Sequence, residues 1–213
     1  MDGVLVDSEP LHFAATRDVL ARYGVGFSAA DDAQFFGQTD AEMFSILCAR
    51  HRGLPDPRTL ANERAGVVIR RLPVECAPLP GVPVVLDGLR ARGYRLAVAS
   101  SSVPRVIATT LGSADVADRF EAVVGGDEVA RSKPAPDIFL EAARRLSIAP
   151  ARCAVIEDSP KGVSAAKAAG MLAIAIPGGA TVHLSFDDAD HRLESLLDLE
   201  ALLVRVNGPD RAG

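Results

Sequence analysis

The chain has 213 residues, 48% of them apolar, with no Trp and a net charge of −5 at pH 7. That length fits one compact domain carrying an insertion, or two modest domains, with enough apolar material for a sizeable core. The acidic balance and the scattered Lys and Arg exclude nonspecific nucleic-acid binding, which needs a basic surface. No apolar run is long enough to span a bilayer, and the start at Met1-Asp2-Gly3 lacks the basic segment of a secretory signal. A cytoplasmic protein without membrane attachment is therefore expected. Cys48, Cys76 and Cys153 are odd in number and far apart, which reads as free thiols.

In chain order, the first third reads as helical. Helices are expected over residues 11–23, 40–50 and 60–72, the first entered through Ser8-Glu9-Pro10 and the set punctuated by Pro55, Pro57 and Pro73. Met43, Phe44 and Leu47 fall on the expected core side of the second. Residues 78–81 read as a linker. Beyond it, short β-rich runs alternate with helical patterns. A helix over 84–92 precedes a strand at 96–99, which runs into Ser100-Ser101-Ser102. A strand at 122–124 and a helix at 136–146 follow. The strand at 154–156 ends in Glu157-Asp158, the helix at 160–169 is rich in Ala and Gly, and the strand at 172–176 is stopped by Pro177. Such alternation predicts βαβ units around a parallel sheet. The fold class is thus α/β, a Rossmann-like sheet with an inserted helical unit. Residues 207–213 read as a disordered tail.

Four polar clusters fall at or near expected strand ends: Asp2-Gly3, Ser100-Ser101-Ser102, Lys133-Pro134 and Glu157-Asp158-Ser159. Ligands of open parallel sheets bind beyond the carboxyl ends of the strands. Carboxylates that can hold Mg²⁺, beside hydroxyls and an ammonium, suit phosphoryl transfer. Each cluster also has a plainer reading. The serines could cap a helix, Glu157-Asp158 could cap the helix at Pro160, Lys133 could be a surface lysine, and Asp2 a solvated acid.

Met1-Asp2-Gly3-Val4-Leu5-Val6-Asp7-Ser8-Glu9 resembles the first motif of the haloacid dehalogenase superfamily. Val98-Ala99-Ser100-Ser101-Ser102 resembles the second, and Ser132-Lys133-Pro134-Ala135-Pro136-Asp137 the third. Ile156-Glu157-Asp158-Ser159, continuing through Gly162-Val163 to Ala169-Gly170-Met171, resembles the fourth. Nearly the whole chain is covered, in order, and the likeness is greatest to the β-phosphoglucomutase-like phosphatases, whose helical cap lies between the first two motifs.

The resemblance implies a core of residues 1–10 and 79–206 and a cap of residues 11–78. It implies a Mg²⁺-dependent phosphatase of a small phosphorylated metabolite, a sugar phosphate, working through an aspartyl-phosphate. Asp2 matches the acid/base residue, and its carbonyl a metal ligand. Asp158 matches the main metal carboxylate, with Glu157 assisting. Ser100, with Ser101 beside it, matches the phosphate-holding hydroxyl, and Lys133 the ammonium that pairs with phosphate and nucleophile. His12 and Gly37 are candidates for substrate contact from the cap. The family motif places an apolar strand and a nucleophilic Asp before the residue that Met1 occupies. The nucleophile and first core strand would then precede Met1, and the chain as it stands is expected to lack turnover. A misplaced start, a fragment and a nucleophile-free protein are the open origins. Mutases of the group surround the Gly37 position with basic residues; Phe36 and Asp40 stand there instead, which favours a phosphatase over a phosphosugar mutase. A noncatalytic binding protein is the third reading. A monomer is the default.

Overall fold

The described chain opens with four helices: α1 (Glu9–Ala21), α2 (Ala29–Asp32), α3 (Asp40–Arg50) and α4 (Pro57–Glu75). The computed structural model describes residues 1–206, so the expected tail at 207–213 lies outside the described residues. α3 starts where its capping box dictates. Thr39 Oγ1 accepts the Glu42 N–H at 3.3 Å, and the Glu42 carboxylate accepts the Thr39 N–H at 3.1 Å. α4 starts at Pro57 behind Asp56, whose carboxylate accepts the Thr59 N–H at 3.0 Å. Its sequence reads as a helix stopped by Pro73, yet the structure carries it to Glu75. In the last turns the proline removes one N–H, and Cys76 closes the helix by donating to the Leu72 carbonyl at 3.0 Å. α1, α3 and α4 share one apolar cluster that includes Val19, Leu20, Phe44, Leu60, Val68 and Leu72. Met43 and Leu47 are buried in it as well.

The remaining elements are α5 (Val82–Ala91), β1 (Ala97–Ala99), α6 (Pro104–Ser113), β2 (Ala122–Val124), α7 (Asp137–Leu146), β3 (Ala154–Glu157), α8 (Pro160–Ala168), β4 (Leu172–Ala175), β5 (His191–Arg192) and α9 (Leu199–Val206). Every strand pairing is parallel: β1 with β2, and β3 with β4 with β5. The parallel α/β architecture expected from the sequence is present, with α6, β5 and α9 as additions to that reading. Two further apolar clusters flank the strands. One joins Val85, Leu89, Ile107, Leu199 and Leu203, and the other Ile138, Phe139, Val163 and Ala166.

β1 is hydrogen-bonded on one side to β2, and β3 on one side to β4. All residues of both strands line a cavity of about 870 Å³ between the two sheets, with Val85, Leu89 and Leu199 on its walls and Met1 at its rim. Native interiors are close-packed, and this slot separates the unpaired edges of β1 and β3. The chain passes between helical bundle and sheets twice, and the two crossings are paired. Leu79 N–H donates to the Leu5 carbonyl at 2.8 Å, and Val6 forms an antiparallel bridge with Pro78. No helix among the described residues is long and apolar enough to cross a membrane.

Candidate active site

Asp2 sits in a tight loop. Gly3 N–H donates to the Val6 carbonyl at 2.9 Å, and Leu5 N–H to the Met1 carbonyl at 2.7 Å. Asp2 Oδ1 accepts the Ser8 hydroxyl at 2.5 Å and lies 3.1 Å from His12 Nε2 on α1. Ser8 occupies the N-cap position of α1 but makes no cap bond, because its hydroxyl is turned to Asp2. Burial opposes the Asp2 charge, but the His12 hydrogen bond and charge, the amino terminus and the Ser8 hydroxyl together hold its carboxyl far below the usual range. With Asp2 ionised, His12 donates from Nε2, and its buried Nδ1 has no partner among the described residues.

Ser100 follows β1 and is buried. Its Oγ accepts the Ser102 N–H at 3.2 Å, while the N-cap of α6 is Val103 with no side-chain cap bond. The capping alternative for these serines therefore fails. The same holds at β3: Ser159, not Glu157 or Asp158, caps α8 by accepting the Gly162 N–H at 3.1 Å. Both carboxylates are left for other work. Glu157 pairs with buried Lys133 and accepts the Ser159 hydroxyl at 2.9 Å. Burial opposes its charge, and the Lys133 ammonium outweighs that opposition, so the Glu157 carboxyl lies low. Asp158 has no such partner; burial first, and then the Glu157 charge, push its carboxyl up.

Asp2, Ser100, Ser101, Lys133, Glu157, Asp158, His12 and Gly37, the residues singled out by sequence, all line one cavity of about 120 Å³. Gly37 closes it from the bundle. Its φ of +77° is left-handed, and a Cβ there would stand 3.2 Å from Lys161 Cβ. The Gly37 carbonyl accepts the Ser101 hydroxyl at 3.3 Å, and Ser132 Oγ donates to Glu42, so bundle and sheet are in contact across the opening.

Among the described residues no three His, Cys, Asp or Glu side chains converge as a ready metal cage. The Asp158 and Glu157 carboxylates and the Asp2 carbonyl are the donors at hand. Two adjacent acids, Glu157 buried and Asp158 half-buried, balanced by one lysine leave an excess of negative charge that a divalent cation would neutralise. Mg²⁺ typically takes one or two carboxylates and fills its octahedron with water and phosphate oxygens, so the donor set fits it.

Sequence reasoning overlooks Arg64. It is buried on α4, its Nε donating to Thr16 Oγ1 at 2.8 Å and its Nη1 to Asp40 Oδ1 at 2.6 Å. The signal was available: Arg64 lies four residues from both Leu60 and Val68, on the buried face of the helix. Glu9, Asp32 and Gln38 also line the cavity without having been singled out.

The profile of the haloacid dehalogenase-like hydrolases matches residues 1–176. The chain belongs to this family. Among haloacid dehalogenase-like hydrolases it is 34% identical over 174 residues to the fructose-1-phosphate phosphatase YqaB of Escherichia coli (strain K12), covering 82% of this chain and 92% of that one. Hexitol phosphatase B of the same organism is 33% identical over 204 residues, covering 94% and 92%. The crystal structure of CbbY from Rhodobacter sphaeroides in complex with phosphate superposes with a TM-score of 0.86 at 28% identity, covering 93% of each chain. The haloacid dehalogenase-like fold expected from the four motifs is the fold these proteins share.

Proposed function

We propose that this hydrolase is a Mg²⁺-dependent phosphatase of a small phosphorylated metabolite, a sugar phosphate, acting through an aspartyl-phosphate. The observation that carries the reading is the single cavity holding Asp2, Ser100, Lys133, Glu157 and Asp158 beyond the strand ends. The names of the relatives YqaB and hexitol phosphatase B, at 34% and 33% identity, support the substrate class.

Asp158, Glu157 and the Asp2 carbonyl would hold the Mg²⁺, which supplies positive charge against the phosphoryl oxygens. The Ser100 and Ser101 hydroxyls and the Lys133 ammonium hold those oxygens in place. The attacking carboxylate belongs to the residue immediately before Met1, at the end of a strand occupying the slot between β1 and β3. The free edges of those strands, and Met1 lining both the slot and the site cavity, support that position. Attack forms an oxygen–phosphorus bond and breaks the bond from phosphorus to the sugar oxygen, which takes a proton from Asp2. Asp2 then accepts a proton from water as the water oxygen attacks phosphorus, freeing inorganic phosphate and the carboxylate. His12 and Ser8 hold the Asp2 carboxylate in place throughout. In this reading residues 11–78 are a cap on a core of residues 1–10 and 79–206, and its closure excludes water.

The test is phosphate release from fructose 1-phosphate by the chain carrying its natural upstream residues, with and without Mg²⁺. Mg²⁺-dependent release is expected, and Asp2→Asn should lower turnover by roughly 10²–10⁴-fold. Release that ignores Mg²⁺, or full activity in the variant, overturns the reading. A phosphosugar mutase would interconvert phosphate positions without net release, so chromatography of the products separates the two.

A further inference from the structure

Glu42 stands in the first turn of α3, and its two carboxylate oxygens face different parts of the molecule. Oε2 accepts the Thr39 N–H and the Thr39 hydroxyl, each at 3.1 Å, as part of the capping box. Oε1 accepts the Ser132 hydroxyl, 90 residues away along the chain. The capping box already fixes the rotamer of the carboxylate, so the contact to Ser132 orders little that is still free. A hydroxyl donating to an ionised carboxylate is also among the stronger hydrogen bonds.

Ser132 directly precedes Lys133. Its carbonyl accepts the Ala135 N–H at 2.9 Å, so Ser132 opens the turn that carries the lysine. Lys133 is buried, its ammonium paired with Glu157 and 4.9 Å from the centroid of the Phe139 ring. Among the described residues, the other contact of the Ser132 hydroxyl is a long one, 3.5 Å to the Lys133 carbonyl. The turn is thus gripped at its buried lysine by the sheet side and at its first residue by the bundle. The seam around it is close. The Gly37 carbonyl takes the Ser101 hydroxyl, and the Gly37 backbone runs against the stem of Lys161. Burial pushes the Lys161 ammonium down in pKa, and the Glu42 charge opposes that push.

We propose that Glu42 is a positioning residue supplied by the bundle: by holding Ser132 it sets the turn that aims the Lys133 ammonium, so the site is fully assembled only while the bundle lies against the sheets. This rests on the phosphatase reading, in which Lys133 holds the phosphoryl oxygens, and it adds a residue that lies outside the four motifs. A group aimed by two elements loses its alignment when either withdraws, and a misplacement of about 1 Å can cost about 10²-fold in rate.

Two measurements on the chain carrying its natural upstream residues test this. The variants are Ser132→Ala, which removes the hydroxyl and leaves the capping box intact, Glu42→Gln, which keeps a capping-box residue without the charge, and the two together. With fructose 1-phosphate and Mg²⁺, Ser132→Ala should lower kcat about tenfold and leave KM within about twofold, the pattern of a contact that acts in the transition state. The double variant should be no slower than the slower single one, because both changes break the same link. Full kcat in Ser132→Ala, a loss confined to KM, or losses that multiply in the double variant overturns the proposal.

The second measurement is hydrogen exchange, which needs no turnover. Glu42→Gln, a change in the bundle, should speed exchange of the Ala135 N–H in the Lys133 turn severalfold. Ser132→Ala, a change on the sheet side, should do the same for the Thr39 N–H. Amides of β4 should keep the parent's rate in both. Unchanged exchange at Ala135 and Thr39, or equal acceleration in β4, overturns the link. If no ester is hydrolysed, the phosphatase reading fails, and exchange decides by itself whether Glu42 holds the Lys133 turn.

Discussion

The Asp158 carboxylate leans over the backbone of Gly3, its Oδ2 only 1.9 Å from where a Cβ on residue 3 would stand. Gly3 has a φ of +67°, which side chains rarely adopt. The glycine after Asp2 is thus required twice, by backbone conformation and by the neighbouring carboxylate. Gly3→Ala should cost about 1–2 kcal/mol from the left-handed backbone alone. It should also displace Asp158 and abolish the rise in melting temperature that Mg²⁺ is expected to give the parent. A variant with the parent's Mg²⁺-dependent melting shift would remove Asp158 from the metal site.

A second glycine supports the other carboxylate. A Cβ on Gly162 would lie 2.0 Å from the Glu157 carboxyl, so Gly162→Ala should force Glu157 off Lys133. Disrupting a buried ion pair costs about 3–5 kcal/mol, which urea unfolding will read. Gly112, in α6, is the control. A Cβ there would meet nothing within 4 Å, so Gly112→Ala should be neutral or stabilise by up to about 1 kcal/mol. Equal effects at the two sites would contradict the packing described.

Glu9 gives a pH signature. Burial, then the nearby Asp2 charge, raise its carboxyl above the usual value. A raised acid keeps its proton longer in the folded state than in the unfolded one. Stability is therefore lost as pH rises from the unfolded value, about 4.3, through the folded one. Glu9→Gln removes that loss. Relative to the parent, the variant should gain stability at pH 7 that it does not gain at pH 4, measured by melting at both. A gain of the same size at both would mean that the ionisation of Glu9 carries no penalty.

Arg64 and Asp40 form a cycle. Arg64→Met leaves Asp40 without its cation, and Asp40→Asn leaves Arg64 without its anion, so each single change should destabilise. The double change should cost less than the sum of the two, with a coupling of about 0.5–3 kcal/mol. Additivity within error would show the pair to be energetically silent.

Much of the site is legible in sequence because its chemistry sits where apolar runs stop. Ser100 follows the end of β1, Glu157 closes β3, and Asp158 comes next, so an ordinary reading of strand ends finds them. What it misses depends on contacts distant along the chain. Arg64 meets Thr16 and Asp40 from a different helix, and only folding joins them. α6 is missed because Val103 offers no cap signal and the segment is mixed with Thr, Gly and Ser. The capping readings of Ser100 and of Glu157-Asp158 fail because a neighbour takes each cap position, Val103 for one helix and Ser159 for the other.

The paired crossings at Leu5–Leu79 and Val6–Pro78 mean that the helical bundle departs from and rejoins the sheets at a single point. An insertion tethered at one place can be exchanged as a cassette, since swapping it leaves the ends it joins at the same separation. Glu9, Asp32, Gln38 and Arg64 travel with that cassette or stand at its doorway, whereas Ser100, Lys133 and Asp158 stay behind. Grafting a foreign bundle between residues 6 and 78 should therefore alter the range of esters accepted while leaving the phosphorus chemistry with the sheet.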